Sequence, residues 1–450
     1  LKAIGDGLQF LNQHNEALSH YNQALGIYQQ IAHRSGEADT LRALGDVLQL
    51  LNCRQEALTR YKAALSIYQE ASDRTGEALT LKASGDVLHQ LQQSQLALEH
   101  YDEALAIYRE VGDRLGEAHT LKAIGDVLQF LKASREALNH YDQALGIYRE
   151  TAELTQEKFH ERLGEAHTLK AIGDVMLFLN QRSDALHRYT EALSIYREVG
   201  DLLGEANTLT VIGEMLQDLD QRNDSLEHYV KALAIYRKMG NRLGEANTLK
   251  AMGDVLQFLD QRNEALSRYY QALGIYRQVR AHLGEANTLK AIGDVLQFLR
   301  QRSEALSGYD QALSLYRQMG ARVGEANTLK AIGDVLQFLN QRSDALNRYH
   351  QALEIYRHIG SQLGEANTLA AIGDVLQFLD RRNEALQHYE DALSLYRQIG
   401  DRQGKANVLK AIGDVLQFLD QRSEALNRYD QALSTYRQVG ARLGEANTLR

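Results

Sequence analysis

The sequence predicts an all-α solenoid, and three observations carry that reading. A phrase of 40 residues recurs about eleven times. Each copy divides into two stretches whose apolar residues fall on one side of a helix. No stretch alternates as a strand would. The phrase is plainest at 284–323, GEANTLKAIGDVLQFLRQRSEALSGYDQALSLYRQMGARV. Its first sixteen residues recur unchanged at 324–339, and at 364–379 with the single change Ala370.

One glycine fixes the register: Gly5, Gly45, Gly85, Gly125, Gly173, Gly213, Gly253, Gly293, Gly333, Gly373 and Gly413, spaced by 40 except for the 48 residues between Gly125 and Gly173. A second glycine precedes it by nine, from Gly36 to Gly444. In the first stretch of the phrase, Leu289, Ile292, Leu296 and Leu299 share one helical face, and Gly293 lies on that face. A glycine inside a helix costs about 1 kcal/mol relative to alanine. Its return at fixed phase predicts a backbone approach too close for a side chain, so Gly253, Gly293 and Gly333 are read as structural.

The second stretch, Ser303 to Met319, buries Ala305, Leu306, Tyr309, Ala312, Leu313 and Tyr316 in the same way. Ala305, Tyr309 and Ala312 are therefore structural too. Ser303, Ser343, Asn383 and Ser423 read as N-caps. Gly112-Asp113, Gly200-Asp201 and Gly400-Asp401 read as a left-handed stop followed by a capping aspartate. Glu117 and Glu205 fall in the first turn that follows, where the helix dipole favours a negative charge, and Lys405 breaks that rule. One pair of helices cannot bury both its stripes, so the pairs must stack.

These positions resemble the tetratricopeptide repeat. Counted from Gly293, the match rests on Leu289, Ile292, Leu296, Ala305, Tyr309 and Ala312. The departures are a period of 40 in place of 34, leucine for the family's tryptophan, and no terminal proline, the chain having no Trp or Pro at all. The 40-residue form is similar to the repeats of Pins-type scaffolds and bacterial regulatory arrays. The resemblance implies a right-handed superhelical solenoid whose first helices line a concave groove. By resemblance the lining residues are Asn247, Lys250, Asp254, Gln257 and Phe258, then Asn287, Lys290, Asp294, Gln297 and Phe298, then Asn327, Lys330, Asp334, Gln337 and Phe338.

Stacking turns each of these into a ladder. Amides donate and accept, so Asn and Gln suit an extended peptide backbone, and Phe supplies apolar contact. Lysine before aspartate is the weaker order within a helix, so pairing between neighbouring units is expected at least as much as pairing within one. Around Gly213 the ladder reads Asn207, Thr210, Glu214, Gln217 and Asp218, and around Gly85 its last members are His89 and Gln90. The N-terminal half is varied, whereas 244–450 is nearly uniform. A uniform groove suits a repetitive ligand, a spacer or copies of itself.

Composition narrows the classes further. A net charge of −9 with no clustered Lys/Arg argues against nucleic acid and anionic membranes. No apolar run is long enough to span a bilayer. The single cysteine, Cys53, forbids an internal disulfide framework. No phosphate loop, metal-ligand spacing or nucleophile set rises above the period, so no cofactor, metal or enzymatic role is assigned. The 23 tyrosines come to two in each unit plus Tyr270, which reads as core packing with hydroxyls reaching a rim. The array reads as one continuous solenoid over 1–450, with an irregular insertion near 151–162 that lengthens the fourth unit's second helix, and with no polar cap at either end. The expected function is a non-enzymatic scaffold that binds protein or extended peptide partners in its groove. The alternative is a spacer, homo-oligomer or fibre built by end-to-end stacking. The compartment reads as cytoplasmic by default, with an extracellular fibre as the other possibility.

Overall fold

A computed structural model describes residues 1–155 and 158–449 of the chain. Twenty-three α-helices and no strands occur among the described residues. They fall into two compact units, Leu1–Leu219 and Asp220–Arg450. In each unit the helices pair as the period predicts: a first helix of 17 residues, such as His282–Phe298, then a second of 17 or 18, such as Arg302–Met319. The second unit has one core cluster running from Leu256 to Tyr436 and another from Tyr229 to Tyr276. Its successive first helices (Arg242–Phe258, His282–Phe298, Arg322–Phe338, Gln362–Phe378 and Arg402–Phe418) each touch the next.

The tight approach at the glycines is real, but its partner is a tyrosine ring and not a backbone. A Cβ on Gly293 would lie 2.5 Å from Cε1 of Tyr309, and a Cβ on Gly324 would lie 2.4 Å from Cε1 of Tyr316. Both glycines thus exist to seat a tyrosine. Tyr309 closes the contact within its own helix pair, and Tyr316 closes the contact to the next pair. Ala305, Tyr309 and Ala312 are fully buried, as their phase predicts.

The turn between the paired helices corrects the capping expectation. The second helices start at Arg302, Arg342, Arg382 and Arg422, one residue before Ser303, Ser343, Asn383 and Ser423. The N-cap positions belong to Gln301, Gln341, Arg381 and Gln421, and none makes a side-chain capping bond. The cause is the end of the preceding helix. Arg300 adopts a left-handed φ of 61°, and the Gln301 N–H donates to the Leu296 carbonyl at 2.9 Å. This closing motif leaves no room for a longer turn, so it dictates where the next helix begins. Asn and Asp fill the left-handed position in most units (Asn52, Asp260, Asn340, Asp380), which they tolerate better than other non-glycine residues.

The junction between pairs follows the prediction. Gly112, Gly200 and Gly400 have φ of +74° to +75°. Asp113 and Asp401 accept from the backbone N–H groups of Gly116 and Gly404, and Asp201 from those of Leu203 and Gly204. Around the insertion, the second helix runs Ser134–Leu154, 21 residues, and the next first helix, Phe159–Phe178, starts about a turn early. Residues 156 and 157 of that insertion lie outside the described residues. Phe159 is half-exposed and meets His160 edge-on.

Candidate functional site

The first helices of the second unit present one repeating set to solvent. Asn287 is exposed; Lys290, Asp294 and Gln297 are half-buried; Phe298 is exposed. The sets at Asn247–Phe258 and Asn327–Phe338 have the same exposure pattern. The structure thus brings the predicted residues together on one face. It also shows that most of them already have partners.

Lys290 Nζ lies 2.8 Å from Asp294 Oδ2, Lys250 2.7 Å from Asp254 Oδ2, and Lys330 2.9 Å from Asp334 Oδ2. These are pairs within one helix, four residues apart, so of the two pairings expected at comparable weight the structure has the one within the helix. Half-burial explains it: the aspartate is already fixed by a second bond. The Tyr309 hydroxyl donates to Asp294 Oδ1 at 2.8 Å, and Tyr269 and Tyr349 do the same to Asp254 and Asp334. Each of these hydroxyls also lies 3.1 Å from Oε1 of Gln297, Gln257 or Gln337. Burial, then the neighbouring Asp294 charge, pushes the Tyr309 hydroxyl far above its ordinary pKa, which keeps it a donor.

The other tyrosine of each pair takes the asparagine. Tyr276, Tyr316 and Tyr356 donate to Oδ1 of Asn247, Asn287 and Asn327 at 2.6–2.7 Å. Burial, then the charge of Asp294, raises Tyr316 to about 12. With the carbonyl oxygen engaged, the NH2 group is the donor that each of these exposed asparagines has left. The face therefore offers donors and aromatic rings, while its charges are neutralised in pairs.

Sequence reasoning missed two further sets. Phe258, Phe298 and Phe338 remain 64–67% exposed, yet each carries the guanidinium of the preceding pair's Arg222, Arg262 or Arg302 over its ring at 5.1–5.4 Å. An Arg 36 residues ahead of each Phe was the available signal. Glu325, expected only to favour the helix dipole, is buried between Arg317 Nε at 2.8 Å and Arg322 Nη1 at 3.0 Å. Burial alone would raise its carboxyl; the two arginine hydrogen bonds outweigh that and hold it below its ordinary value. Ala370 removes the lysine from one rung. Burial lifts the Asp374 carboxyl there above its ordinary value, opposed by the hydrogen bond from Tyr389. Among the described residues no set of three or more His, Cys, Asp or Glu is gathered as for a metal, and no helix is long and apolar enough to cross a membrane.

The paired helices, the small residues at their contacts and the glycine-seated tyrosines can be set beside known families. The tetratricopeptide repeat profile matches residues 1–70, 76–150, 204–278, 255–318, 284–358 and 364–438. The chain belongs to the tetratricopeptide repeat family. A search of curated proteins returns no match. Among solved structures, this tetratricopeptide array is similar to a signal-transduction ATPase with numerous domains from Pyrococcus horikoshii, which has a tetratricopeptide repeat sensor. The TM-score is 0.60 at 11% identity, over 82% of this chain and 55% of that one. It is also similar to the apo form of the quorum sensor NprR from B. thuringiensis, with a TM-score of 0.56 at 14% identity, over 82% of this chain and 99% of that one. At such identities the likeness is one of fold.

Proposed function

We propose that this tetratricopeptide array is a non-enzymatic scaffold whose first-helix face binds an extended segment of a partner protein. The reading rests on one observation: the tyrosine hydroxyls take the carbonyls of the exposed asparagines, which leaves the amide NH2 as the free group of each, on the same helix as an exposed phenylalanine. Donors at regular intervals suit the carbonyl oxygens of an extended backbone, and the rings suit its apolar side chains. Because lysine and aspartate neutralise each other, the favoured segment is uncharged. The similarity to proteins described as sensors is in keeping with a face kept open for a ligand.

The test is selection of binders from a random peptide library on the whole chain, followed by Phe298→Ala, Phe338→Ala and Phe378→Ala in one variant. These rings are mostly exposed, so the fold should survive their removal. Asn287→Asp with Asn327→Asp keeps an acceptor for each tyrosine and removes the outward donor. Both variants should lose the selected peptides. Undiminished capture by both would sink the proposal. The uniformity of 244–450 favours a second reading, a spacer or self-stacking array; single monomeric particles in electron microscopy at every concentration would count against it.

A further inference from the structure

One junction between helix pairs reverses a charge that the other junctions keep. The first turn of each first helix carries a glutamate at the same phase (Glu37, Glu117, Glu325 and onward to Glu445) in ten of the eleven units that include it; the exception is Lys405. In four units two arginines hold that carboxylate, one from the end of the preceding second helix and one from the start of its own helix. Arg237 and Arg242 hold Glu245 at 2.9 and 2.5 Å, and Arg317 and Arg322 hold Glu325 at 2.8 and 3.0 Å. Both glutamates are buried.

Both arginines remain at the exception. Arg397 lies in the last turn of the helix Arg382–Ile399, and Arg402 opens the helix Arg402–Phe418. Their spacing from Lys405 is that of Arg317 and Arg322 from Glu325. The turn keeps its form, with a φ of +75° at Gly400 and +65° at Gly320. The backbone thus places both arginines about the spot where a carboxylate sits elsewhere, and the residue between them is a third cation. Among the described residues none of the three side chains has a hydrogen-bond or ion-pair partner. Arg397 and Arg402 are exposed and Lys405 is half-buried, so a ligand reaches them from solvent. The carboxylate of this junction is Asp401, whose Oδ1 accepts from the Gly404 N–H at 2.9 Å. Three cations against this one anion leave a charge of +2, whereas Arg109 and Arg114 are balanced by Asp113 and Glu117. The cleft two units earlier shows the room at such a junction: about 660 Å³ beside Arg317, Arg322 and Glu325, with Glu354 of the next pair also lining it. At the same phase stand Lys405 for Glu325 and Ser434 for Glu354, so both acids are gone and both arginines stay.

We infer that Arg397, Arg402 and Lys405 form a binding site for a phosphoryl group, carried by free phosphate or by a phosphorylated side chain of a partner protein. The occupant is assigned from the chain's own chemistry. Arginines at this spacing take a carboxylate in four other units, so they are arranged for an oxyanion. With a third cation and two acids lost, a single negative charge no longer balances the site. A phosphate monoester brings about −1.5 to −2 at neutral pH, with three acceptor oxygens for three donor groups. Lys405 is two residues, about 200° of helix, from Asn407, so the site lies off the first-helix face and does not depend on the reading proposed for that face.

The probes are inorganic phosphate, by titration calorimetry, and a dye-labelled alanine pentapeptide with a central phosphoserine, by anisotropy, each with the whole chain. Saturable binding of at least one is expected, with none for the unphosphorylated peptide. Lys405→Glu, which restores the residue of the other units, should weaken binding by roughly tenfold or more. It should also raise the melting temperature, because Arg397 and Arg402 regain a carboxylate. Arg402→Gln should weaken binding without that rise. Lys231→Glu makes the same change of charge at an exposed position on the helix Arg222–Met239 and should leave binding unchanged. Absence of saturable binding by both probes overturns the inference, as does equal binding by wild type and Lys405→Glu. An equal loss in Lys231→Glu would make the effect one of net charge and overturn the site. Acetate competing as well as phosphate overturns the assigned dianion. Tighter binding of the phosphopeptide upholds the site and gives it to a partner's modified side chain; binding of phosphate alone upholds it and gives it to the free ion.

Discussion

The same substitution, glycine to alanine, should have opposite signs at two helix-interior positions only nineteen residues apart. At Gly274 nothing lies within 4 Å of the new Cβ, and the equivalent residue one unit earlier is already Ala234. Gly274→Ala should therefore gain most of the intrinsic helix preference, about 0.5–1 kcal/mol. At Gly293 the new Cβ would sit 2.5, 2.8 and 2.9 Å from Cε1, Cδ1 and Cζ of Tyr309. Comfortable carbon contacts need about 3.5–4.0 Å, so the ring must shift by about 1 Å. It has nowhere easy to go: Tyr309 is fully buried and its hydroxyl is held by Asp294 at 2.8 Å. Overpacking costs about 1–3 kcal/mol, and weakening a bond to a charged acceptor costs up to about 1.5–3 kcal/mol. Set against the helix gain of about 1 kcal/mol, Gly293→Ala should lose about 2–4 kcal/mol. Urea unfolding followed by far-UV circular dichroism gives both signs. Amide exchange should show the loss concentrated in His282–Phe298 and Arg302–Met319, since repeat arrays open locally. Two variants of equal stability would refute the ring-seating argument.

Three further outcomes follow from the same geometry. Arg280 holds a left-handed φ of 56° where seven other junctions have glycine, so Arg280→Gly should raise stability by about 1 kcal/mol in the urea midpoint. Burial, then a nearby aspartate, raises the hydroxyls of Tyr276, Tyr316, Tyr356 and Tyr396 to about 12. The fold keeps these protons after the unfolded chain begins to release its own near pH 10, so their stabilisation is complete below about pH 10 and lost between there and about 12. Tyrosinate absorbance and helix loss should then rise together; ionisation of these tyrosines in a fully helical chain would contradict it. Glu325 has the opposite sign: its lowered carboxyl contributes above the unfolded value of about 4.3, and that contribution is lost as pH falls through the folded value. Glu325→Gln should cost about 1–2 kcal/mol at neutral pH, discounted for the exposure of its two arginines, and should flatten the acid limb of the stability profile.

The sequence made the fold legible because a solenoid writes its contacts once per unit. The apolar stripes, the Gly-Asp junctions and the pairing of helices all repeat at fixed phase, and repetition removes the ambiguity a single helix would leave. What stayed hidden was the identity of partners. Gly293 announced a close approach, yet only coordinates could say that the approaching group was Tyr309, sixteen residues on. Ser303 looked like an N-cap because caps are recognised by residue type, whereas here the preceding helix end fixes the start of the next one. The Arg–Phe contacts spanned 36 residues and joined a half-buried arginine to an exposed phenylalanine, a pairing that no local pattern reveals.

The tyrosines also change what the uniformity of 244–450 means. Asp294 is bound by Tyr309 and Asn287 by Tyr316, so those rungs serve the core whether or not a ligand uses them. The varied unit supports this. Where asparagine is replaced, Asp39 still accepts from Tyr68 at 2.7 Å, and His119, its pKa lowered by burial, meets the Tyr148 hydroxyl through Nδ1 at 2.6 Å. Asp39 and His119 still take the hydrogen bond of the phenol, whereas Leu79, at the same rung of the unit between them, cannot, so the tyrosine bond biases that rung without fixing it. A repetitive groove is thus no evidence for a repetitive ligand. Specificity has to be sought at positions the tyrosines leave unclaimed, such as the exposed phenylalanines, where a change of chemistry leaves the tyrosine bonds untouched.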